Sequence, residues 1–293
     1  NFTGFTVKTG ANYNISSVFN VYANAGYLSK APLFQPVFNN INKATKDIKN
    51  ETIQAFELGT GYNTRLISVN ANVYYTEWKD KTYRRNYTLK DETGQSIVYN
   101  YLLKGIDARH MGFELEATSR PTRYLKFDAM LSLGDWEWQN NVFTRVYDDE
   151  TSKQVDSAFI YIKGLKVGDA AQTTAAFTAT AYPYKGLYIS GVYKYFAKNY
   201  AYFSPENRTK ATEEGVQPWK LPNYGLMDLH AGYTIPYSIS YLAKIQINFH
   251  VFNVLDEQYI SDADDGNGHD ATYATVYFGL PRQFNAGIIL SFY

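Results

Sequence analysis

The sequence ISVNANVYYT occupies residues 67–76 and alternates between apolar and polar side chains. Its apolar phase carries Ile67, Val69, Ala71, Val73 and Tyr75. Successive side chains of a β-strand point to opposite faces, so this segment is predicted to be a strand with one apolar face and one polar face. Its length matches the ~9–11 residues that a tilted strand needs to cross a bilayer, whereas strands of soluble proteins average nearer ~5–6 residues.

The same period of two recurs along the chain and predicts about eleven strands. The clearest of the others cover residues 19–27, 56–62, 111–118, 125–134, 172–181, 227–235, 243–251 and 284–292. The middles of their apolar phases carry no Lys, Arg, Asp or Glu. A charge at the membrane midplane costs ~2–4 kcal/mol for Arg or Lys, so this absence is typical of the lipid-facing wall of a barrel.

The connections between these strands alternate strictly in length. Short ones are predicted at residues 11–16, 63–65, 119–123, 183–186 and 236–241, and longer or more polar ones at 28–51, 86–95, 139–166, 203–222 and 256–272. Short periplasmic turns and long extracellular loops alternate in this way in outer-membrane barrels, whereas a soluble sandwich with Greek-key connections has no reason to show it. The pattern predicts an all-β fold: a transmembrane, antiparallel, up-and-down β-barrel in the bacterial outer membrane.

The composition excludes several other classes of protein. The 293 residues include 28 basic and 28 acidic side chains, so the basic field of a nucleic-acid-binding protein is absent and no nucleic acid is expected as a partner. No run approaches the ~20 apolar residues of a membrane-spanning helix. The 28 Tyr, 18 Phe and 4 Trp residues suit membrane interfaces, where amphipathic rings are favoured. No cofactor is predicted.

The strand count indicates part of a larger barrel. Single-chain bacterial barrels have an even number of strands, and eleven is odd. If the C-terminus is periplasmic, as expected, Asn1 would lie at the extracellular end of the first strand. Residues 1–293 are therefore predicted to be the C-terminal part of an outer-membrane β-barrel.

The last nine residues resemble the C-terminal signal that the barrel assembly machinery reads. The positions that fill this pattern are Asn285, Gly287, Leu290 and Phe292, with Tyr293 as an extra aromatic residue. Such a signal acts by β-augmentation, in which an edge strand pairs with its partner and presents one apolar face. The alternative is an ordinary closing strand.

Five segments in this order resemble the C-terminal barrel of TonB-dependent receptors. They are YLSKAPLF at residues 27–34, NET followed by FELG at 50–59, MGFELE at 111–116, NVLDEQY at 253–259 and GLPRQF at 279–284. Asn50 departs from the family, which usually has Pro there. The Tyr- and Asn-rich style is similar to receptors of the Bacteroidetes. The resemblance covers nearly the whole chain.

This resemblance implies a 22-stranded barrel with a plugged lumen, of which eleven strands would be half. It implies energy-coupled import of a scarce nutrient, such as a siderophore, glycan, peptide or cofactor. The expected partners are outer-membrane lipid, the TonB complex acting through a plug domain absent from this sequence, the barrel assembly machinery and a surface lipoprotein. The alternatives are a passive porin-like channel and a soluble surface-binding module. An enzyme is not expected, because the chain shows no nucleophile motif, phosphate loop or zinc spacing.

Aromatic and basic residues near the predicted extracellular ends of strands are candidates for ligand binding. They are Tyr83, Arg84, Arg85, Trp136, Trp138 and Trp219. Flat aromatic faces suit sugars, peptides or siderophore rings. The alternative is a membrane-interface girdle, which uses the same residue types.

Metal-ligand chemistry is predicted only weakly. The acidic loop at residues 262–270 offers Asp262, Asp264 and Asp265 to calcium, but Gly266 occupies the fifth place and breaks the EF-hand spacing, so a solvated loop is the alternative. His230 and His250 fall on the inward phase of neighbouring strands, where a metal or proton role competes with hydrogen bonding in the lumen. The inward carboxylates Glu57, Glu114, Glu116 and Asp128 need no catalytic explanation, because the lumen of such a barrel is polar.

Overall fold

A computed structural model describes residues 2–38, 44–45, 47–90, 93–235 and 242–292. The strands are β1 Phe5–Asn14, β2 Phe19–Lys30, β3 Glu51–Asn63, β4 Ile67–Lys90, β5 Ser96–Thr122, β6 Leu125–Trp138, β7 Val142–Asp148, β8 Gln154–Ile160, β9 Thr173–Tyr184, β10 Leu187–Ala197, β11 Tyr224–Ile235, β12 Leu242–Phe252, β13 Ile260–Asp264, β14 Thr275–Phe278 and β15 Gln283–Phe292. Within these ranges, helical structure is confined to α1 (Phe34–Val37) and the 3₁₀ turns Pro205–Arg208 and Ala211–Glu213. Among the described residues, no helix is long and apolar enough to cross a membrane.

Eleven strands form one continuous antiparallel path in the order β1-β2-β3-β4-β5-β6-β9-β10-β11-β12-β15. They correspond to the eleven strands predicted from the period of two, so that prediction is confirmed. Each strand pairs with its neighbour along the path, as in an up-and-down barrel wall. Within the described residues the sheet does not close on itself, and β1 and β15 form its two ends.

The apolar phase of the strands faces outward. Phe56 and Leu58 on β3 are 55% and 60% exposed, and Val73 on β4 and Ile288 on β15 are exposed in the same way. A contiguous apolar surface of this extent is stable only against lipid or a partner. The opposite, inner face carries the polar phase, as the alternation predicted.

The connections confirm the predicted alternation, with two corrections. Short turns follow β1, β3, β5 and β9 at one end of the sheet, which we call the turn end. The predicted turn at 236–241 lies outside the described residues. At the opposite end, the loop end, residues 139–166 fold into the hairpin β7–β8, and β13 pairs with β14. The loop predicted at 86–95 begins as strand, because residues 86–90 extend β4 and pair with β5, Asn86 with Asn100 and Thr88 with Val98.

A bulge turns the loop-end extension of β4 and β5 inward. Asp80 and Gly105 have φ of 58° and 71°, and the pairing of the two strands shifts between Trp78 and Tyr83. The Asp80 amide donates to Asp107 Oδ1 at 3.0 Å. An inserted residue exchanges the two faces of a strand, so Trp78 below the bulge and Tyr83 above it both face inward.

The dry core of the protein lies at the loop end. The strands of a barrel wall bury little apolar surface against one another. At the loop end, by contrast, the long connections pack together. The buried cluster, which we call the loop core, consists of Tyr101, Leu103, Ile106, Ala108, Trp138, Val142, Val146, Ile160, Ile162, Leu165 and Phe203. Strand β7 buries Val142, Thr144 and Val146 by alternation, while Phe143 and Arg145 between them are exposed. The loop end is therefore a folded unit and not a set of independent loops.

Candidate functional site

The candidate site is the folded loop end, where the predicted ligand-binding residues gather. Arg85 on the β4 extension donates to Asp264 on β13 at 2.6 Å. Tyr83, two residues earlier, lies against Tyr202 with ring centroids 5.3 Å apart. Strand β4 is the fourth strand of the path, whereas Tyr202 and Asp264 lie in connections between its last strands, so the sheet curves strongly enough for its two halves to meet through the loops. Tyr83 and Arg85 thus hold the loop end together.

Arg84 points to the other face of the same strand and helps to line a cationic cavity. Its guanidinium lies 3.4 Å from Asp149 Oδ1 and donates to the Phe38 carbonyl oxygen at 3.1 Å. The cavity measures about 270 Å³ and is also lined by Asn100, Lys104 and Arg145. Burial lowers the pKa of Lys104, Asp47 opposes this shift, and the nearby positive charge of Arg145 adds to it. The three cations Arg84, Lys104 and Arg145 outnumber the carboxylates of Asp47 in the lining and Asp149 beside Arg84, so the cavity suits an anionic group of a ligand.

A buried charge network joins two further loops, and the sequence did not predict it. Arg208 Nη2 lies 2.7 Å from Asp265 Oδ2. The ring nitrogens of His269 lie 2.6 Å from the same carboxylate and 2.7 Å from Glu213 Oε2. The Trp219 amide donates to Asp265 Oδ1 at 3.1 Å. We call Arg208, Asp265, His269 and Glu213 the loop clasp. The network depends on the fold, since Glu213 lies 56 positions from His269 in the sequence.

The weak calcium prediction gains no support. The carboxylate of Asp262 accepts from the Ala263 amide, that of Asp264 pairs with Arg85, and that of Asp265 belongs to the loop clasp. Within the part of the chain that the structure describes, no group of three His, Asp or Glu side chains is arranged to hold a metal ion. Asp265 points away from Asp262 and Asp264, because successive residues of an extended chain point to opposite faces.

The three tryptophans among the ligand-binding candidates have different environments, and each has contacts within the protein that do not depend on a membrane interface. Trp138 is 3% exposed and packs edge-on against Phe203, so it is a core residue and not an accessible ligand contact. Trp136 lies on the inner face, where its Nε1 donates to Tyr74 Oη at 2.9 Å. Trp219 packs against the small buried cluster of Ala201, Leu221 and Ala263. The packing of the loops determines the environments of these rings. The position of a residue near the end of a predicted strand does not predict them.

The inner carboxylates act as hydrogen-bond acceptors. Asn24 Nδ2 donates to Glu57 at 3.1 Å, and Asn72 Nδ2 donates to Glu114 at 3.3 Å. Asp128 accepts from Thr118 Oγ1 at 2.8 Å. These partners fit the predicted polar lumen.

The closing strand presents the predicted apolar face outward. Leu290 and Phe292 are exposed on that face, whereas Asn285 pairs with His250 and Gly287 with Asn248. Tyr293, the fifth residue of the proposed assembly signal, lies outside the described residues. The assembly signal itself stays a prediction.

An antiparallel wall with an apolar outer face, a polar inner face and folded loops at one end defines the class of bacterial outer-membrane β-barrels. The chain belongs to the family described as TonB dependent receptor-like, beta-barrel, whose model matches residues 1–254. Members of this family are transporters and receptors, and the family resemblance predicted from the motifs is confirmed. No curated protein sequence matches the chain.

Solved structures of receptors share the fold. The copper transporter OprC is 17% identical with a TM-score of 0.62, and 96% of this chain covers 39% of it. The siderophore receptor PiuA from Acinetobacter baumannii is 15% identical with a TM-score of 0.60, and 96% of this chain covers 34% of it. The ferric-catecholate import receptor Fiu from K12 E. coli is 13% identical with a TM-score of 0.57, with 96% and 34% covered. The chain thus spans a little over a third of the length of these receptors.

Proposed function

We propose that the chain is the C-terminal part of the barrel of an energy-coupled importer, which carries a scarce nutrient such as a siderophore, glycan, peptide or cofactor across the outer membrane. The observation that carries the proposal is the match of the TonB-dependent receptor barrel family to residues 1–254. The folded loop end adds support, because binding residues of transporters concentrate on loops that a rigid scaffold holds in place.

The chain would supply half of a 22-stranded wall, and the other half and a plug domain would come from elsewhere in the whole protein. Eleven strands in the path support this division, as does the share of each solved receptor that the chain covers. The loop end would then be extracellular and the C-terminus periplasmic. A ligand would bind at the loops, and force from the TonB complex on the plug would open a route inward.

Further partners follow from this proposal. The exposed apolar face would contact outer-membrane lipid, and the barrel assembly machinery would recognise the last strand through Asn285, Gly287, Leu290, Phe292 and Tyr293. A surface lipoprotein is a candidate partner at the loop end. The abundance of Tyr and Asn supports an origin in the Bacteroidetes.

The proposed function is tested by growth of cells that carry or lack the full-length receptor, with TonB intact or deleted, on a panel of siderophores, glycans and peptides as limiting nutrients. We expect at least one nutrient to require both the receptor and TonB. Growth that needs the receptor and proceeds without TonB would contradict energy coupling and indicate a passive channel.

The cationic cavity gives a second test, directed at the substrate. Replacement of Arg145 by Glu should lower receptor-dependent growth on an anionic nutrient, because it inserts a negative charge among Arg84 and Lys104. Replacement of the exposed Lys153 by Glu serves as the control, since Lys153 does not line the cavity. Equal growth of the two variants would exclude the cavity from substrate binding.

A further inference from the structure

Two histidines face each other on the inner side of the barrel wall. His230 on β11 pairs directly with His250 on β12, and the two Nδ1 atoms are 2.9 Å apart. The ring planes are inclined at 60° with centroids 5.0 Å apart, and Phe252 lies against both rings at 5.6 and 6.0 Å. The two imidazoles therefore share one hydrogen bond, with one nitrogen protonated and the other accepting.

The distance between the two nitrogens also fits two neighbouring ligands at right angles around one metal ion. Imidazole nitrogens bind transition metals at about 2.0–2.1 Å, so two ligands about 90° apart around one ion are separated by about 2.9 Å. The backbone register already holds the two Nδ1 atoms at that separation. To bind an ion, the donor imidazole moves its Nδ1 proton to its own Nε2, and both rings turn, because the N–H of one now points at the lone pair of the other.

The pair lies within a row of polar side chains that crosses five neighbouring strands. Thr180 pairs with Ser190, Ser190 with His230, His230 with His250, and His250 with Asn285. Directly paired residues have Cβ atoms about 4.5–5.5 Å apart, so the Asn285 side chain neighbours the histidines on the open side of the row. Polar side chains of this kind solvate an ion and its remaining water ligands.

The nearest carboxylate does not complete the site. Asp228, two residues before His230, is buried and binds Lys194 Nζ at 2.6 Å and the Asn253 amide at 2.9 Å. Its charge is therefore compensated, and it is not free to become a ligand. Two imidazoles with open positions toward the lumen would hold an ion weakly and exchangeably, unlike a closed four-ligand structural site.

We propose that His230 and His250 form an exchangeable binding site for a divalent transition metal on the inner wall. The class of ion follows from the ligands: imidazole suits Cu²⁺, Ni²⁺ and Zn²⁺, and Cu²⁺ binds most strongly in the general order of affinity, whereas Ca²⁺ and Mg²⁺ prefer oxygen. The site is independent of the proposed import function, because equilibrium binding of the ion requires neither TonB nor a substrate.

The test is titration of the purified full-length receptor with Cu²⁺, followed by calorimetry and by electron paramagnetic resonance. We expect the wild type to show a Cu²⁺ signal with two coordinated imidazole nitrogens. The variants His230→Gln and His250→Gln should each weaken this binding at least tenfold, because a single imidazole remains. The control variant His110→Gln should retain it, since His110 lies on the inner face next to Trp136 and outside the pair.

Folding of each variant is checked by its heat-dependent mobility on gels. If a variant does not fold, the proposal is judged by the number of imidazole nitrogens that couple to Cu²⁺ in the wild type. A wild-type signal without two imidazole nitrogens, or affinities within twofold of wild type in both folded glutamine variants, would overturn the proposal and leave the pair as a hydrogen bond of the lumen wall.

Discussion

Arg208 and Asp265 form an ion pair that is closed off from solvent, with Nη2 and Oδ2 2.7 Å apart and side-chain exposures of 0% and 1%. The pair joins the connection between β10 and β11 to the connection between β12 and β15. Burial lowers the pKa of the Arg208 guanidinium, and the charge of Asp265 opposes this shift. A charge in such a position is tolerated only with its partner in place.

Replacement of Arg208 by Ala should therefore open the loop end. Breaking a buried pair costs about 3–5 kcal/mol, which raises the population of the open form by roughly two to four orders of magnitude. The measurement is the rate of limited proteolysis of the full-length receptor in detergent. Arg282 is the matched control, because its pair with Asp256 is exposed, and its replacement by Ala should cost less than about 1 kcal/mol. Similar cleavage rates for both alanine variants would contradict the clasp.

The bulge at Gly105 should be sensitive to a single methyl group. Gly105 has φ of 71°, a conformation that costs an L-residue about 1–2 kcal/mol, so Gly105→Ala should lower the unfolding temperature. Gly26→Ala is the control, because a Cβ there would meet its nearest neighbour at an ordinary 3.8 Å. The unfolding temperature is followed by circular dichroism. A Gly105→Ala variant as stable as Gly26→Ala would show that the bulge tolerates other backbone angles.

Trp138 should behave as a core residue. Truncation of a buried Trp costs about 3–5 kcal/mol, so Trp138→Ala should expose the loop end to protease in the absence of any ligand. Trp136→Phe should cost only about 0.5–1.5 kcal/mol, because it loses one hydrogen bond to Tyr74 and keeps most of its ring. If instead Trp138→Ala left protease resistance unchanged and lowered ligand affinity alone, Trp138 would be a direct ligand contact, as the sequence first suggested.

The stability of the loop end should fall as pH rises. Burial raises the pKa of Glu206, whose Oε2 has no partner among the described residues, and burial with repulsion from Asp262 and Asp264 raises the pKa of Asp169 to about 6. An acid whose pKa is raised by folding contributes its stability at pH below the unfolded pKa. That contribution is lost as pH rises through the folded pKa, so the loss begins near pH 4 and is complete above about 6 for Asp169.

Glu206→Gln tests this pH dependence. The variant should resist protease better than wild type at pH 7.5 and equally at pH 4, because the amide is neutral at both values. Glu150→Gln is the control, since Glu150 is exposed in the turn between β7 and β8. The same pH profile for wild type and Glu206→Gln would show that the Glu206 carboxyl does not contribute.

The sequence predicted the wall well and the loop end poorly. In strands such as β4, the period of two assigns each side chain to one face of the sheet. The strands and their outward phase could therefore be predicted without knowledge of distant residues. The β7–β8 hairpin and the extension of β4 and β5 beyond Asp80 were missed. The alternation of β4 and β5 reverses at the bulge. The apolar residues of the extension and of the hairpin pack on other loops instead of on lipid.

The amino-acid sequence by itself determined the strand number, the lipid-facing phase and the family, because those properties depend on neighbours along the chain. The tertiary structure alone decided which loop residues meet. Arg85 and Asp264 are 179 positions apart, and Arg208 and Asp265 are 57 apart. Such pairs form only after the sheet has curved and the loops have packed, and no local pattern records that geometry. The facing nitrogens of His230 and His250 depend on the local sequence and on the tertiary structure. The alternation of the strands put the two side chains on one face, and the register of the strands set their separation.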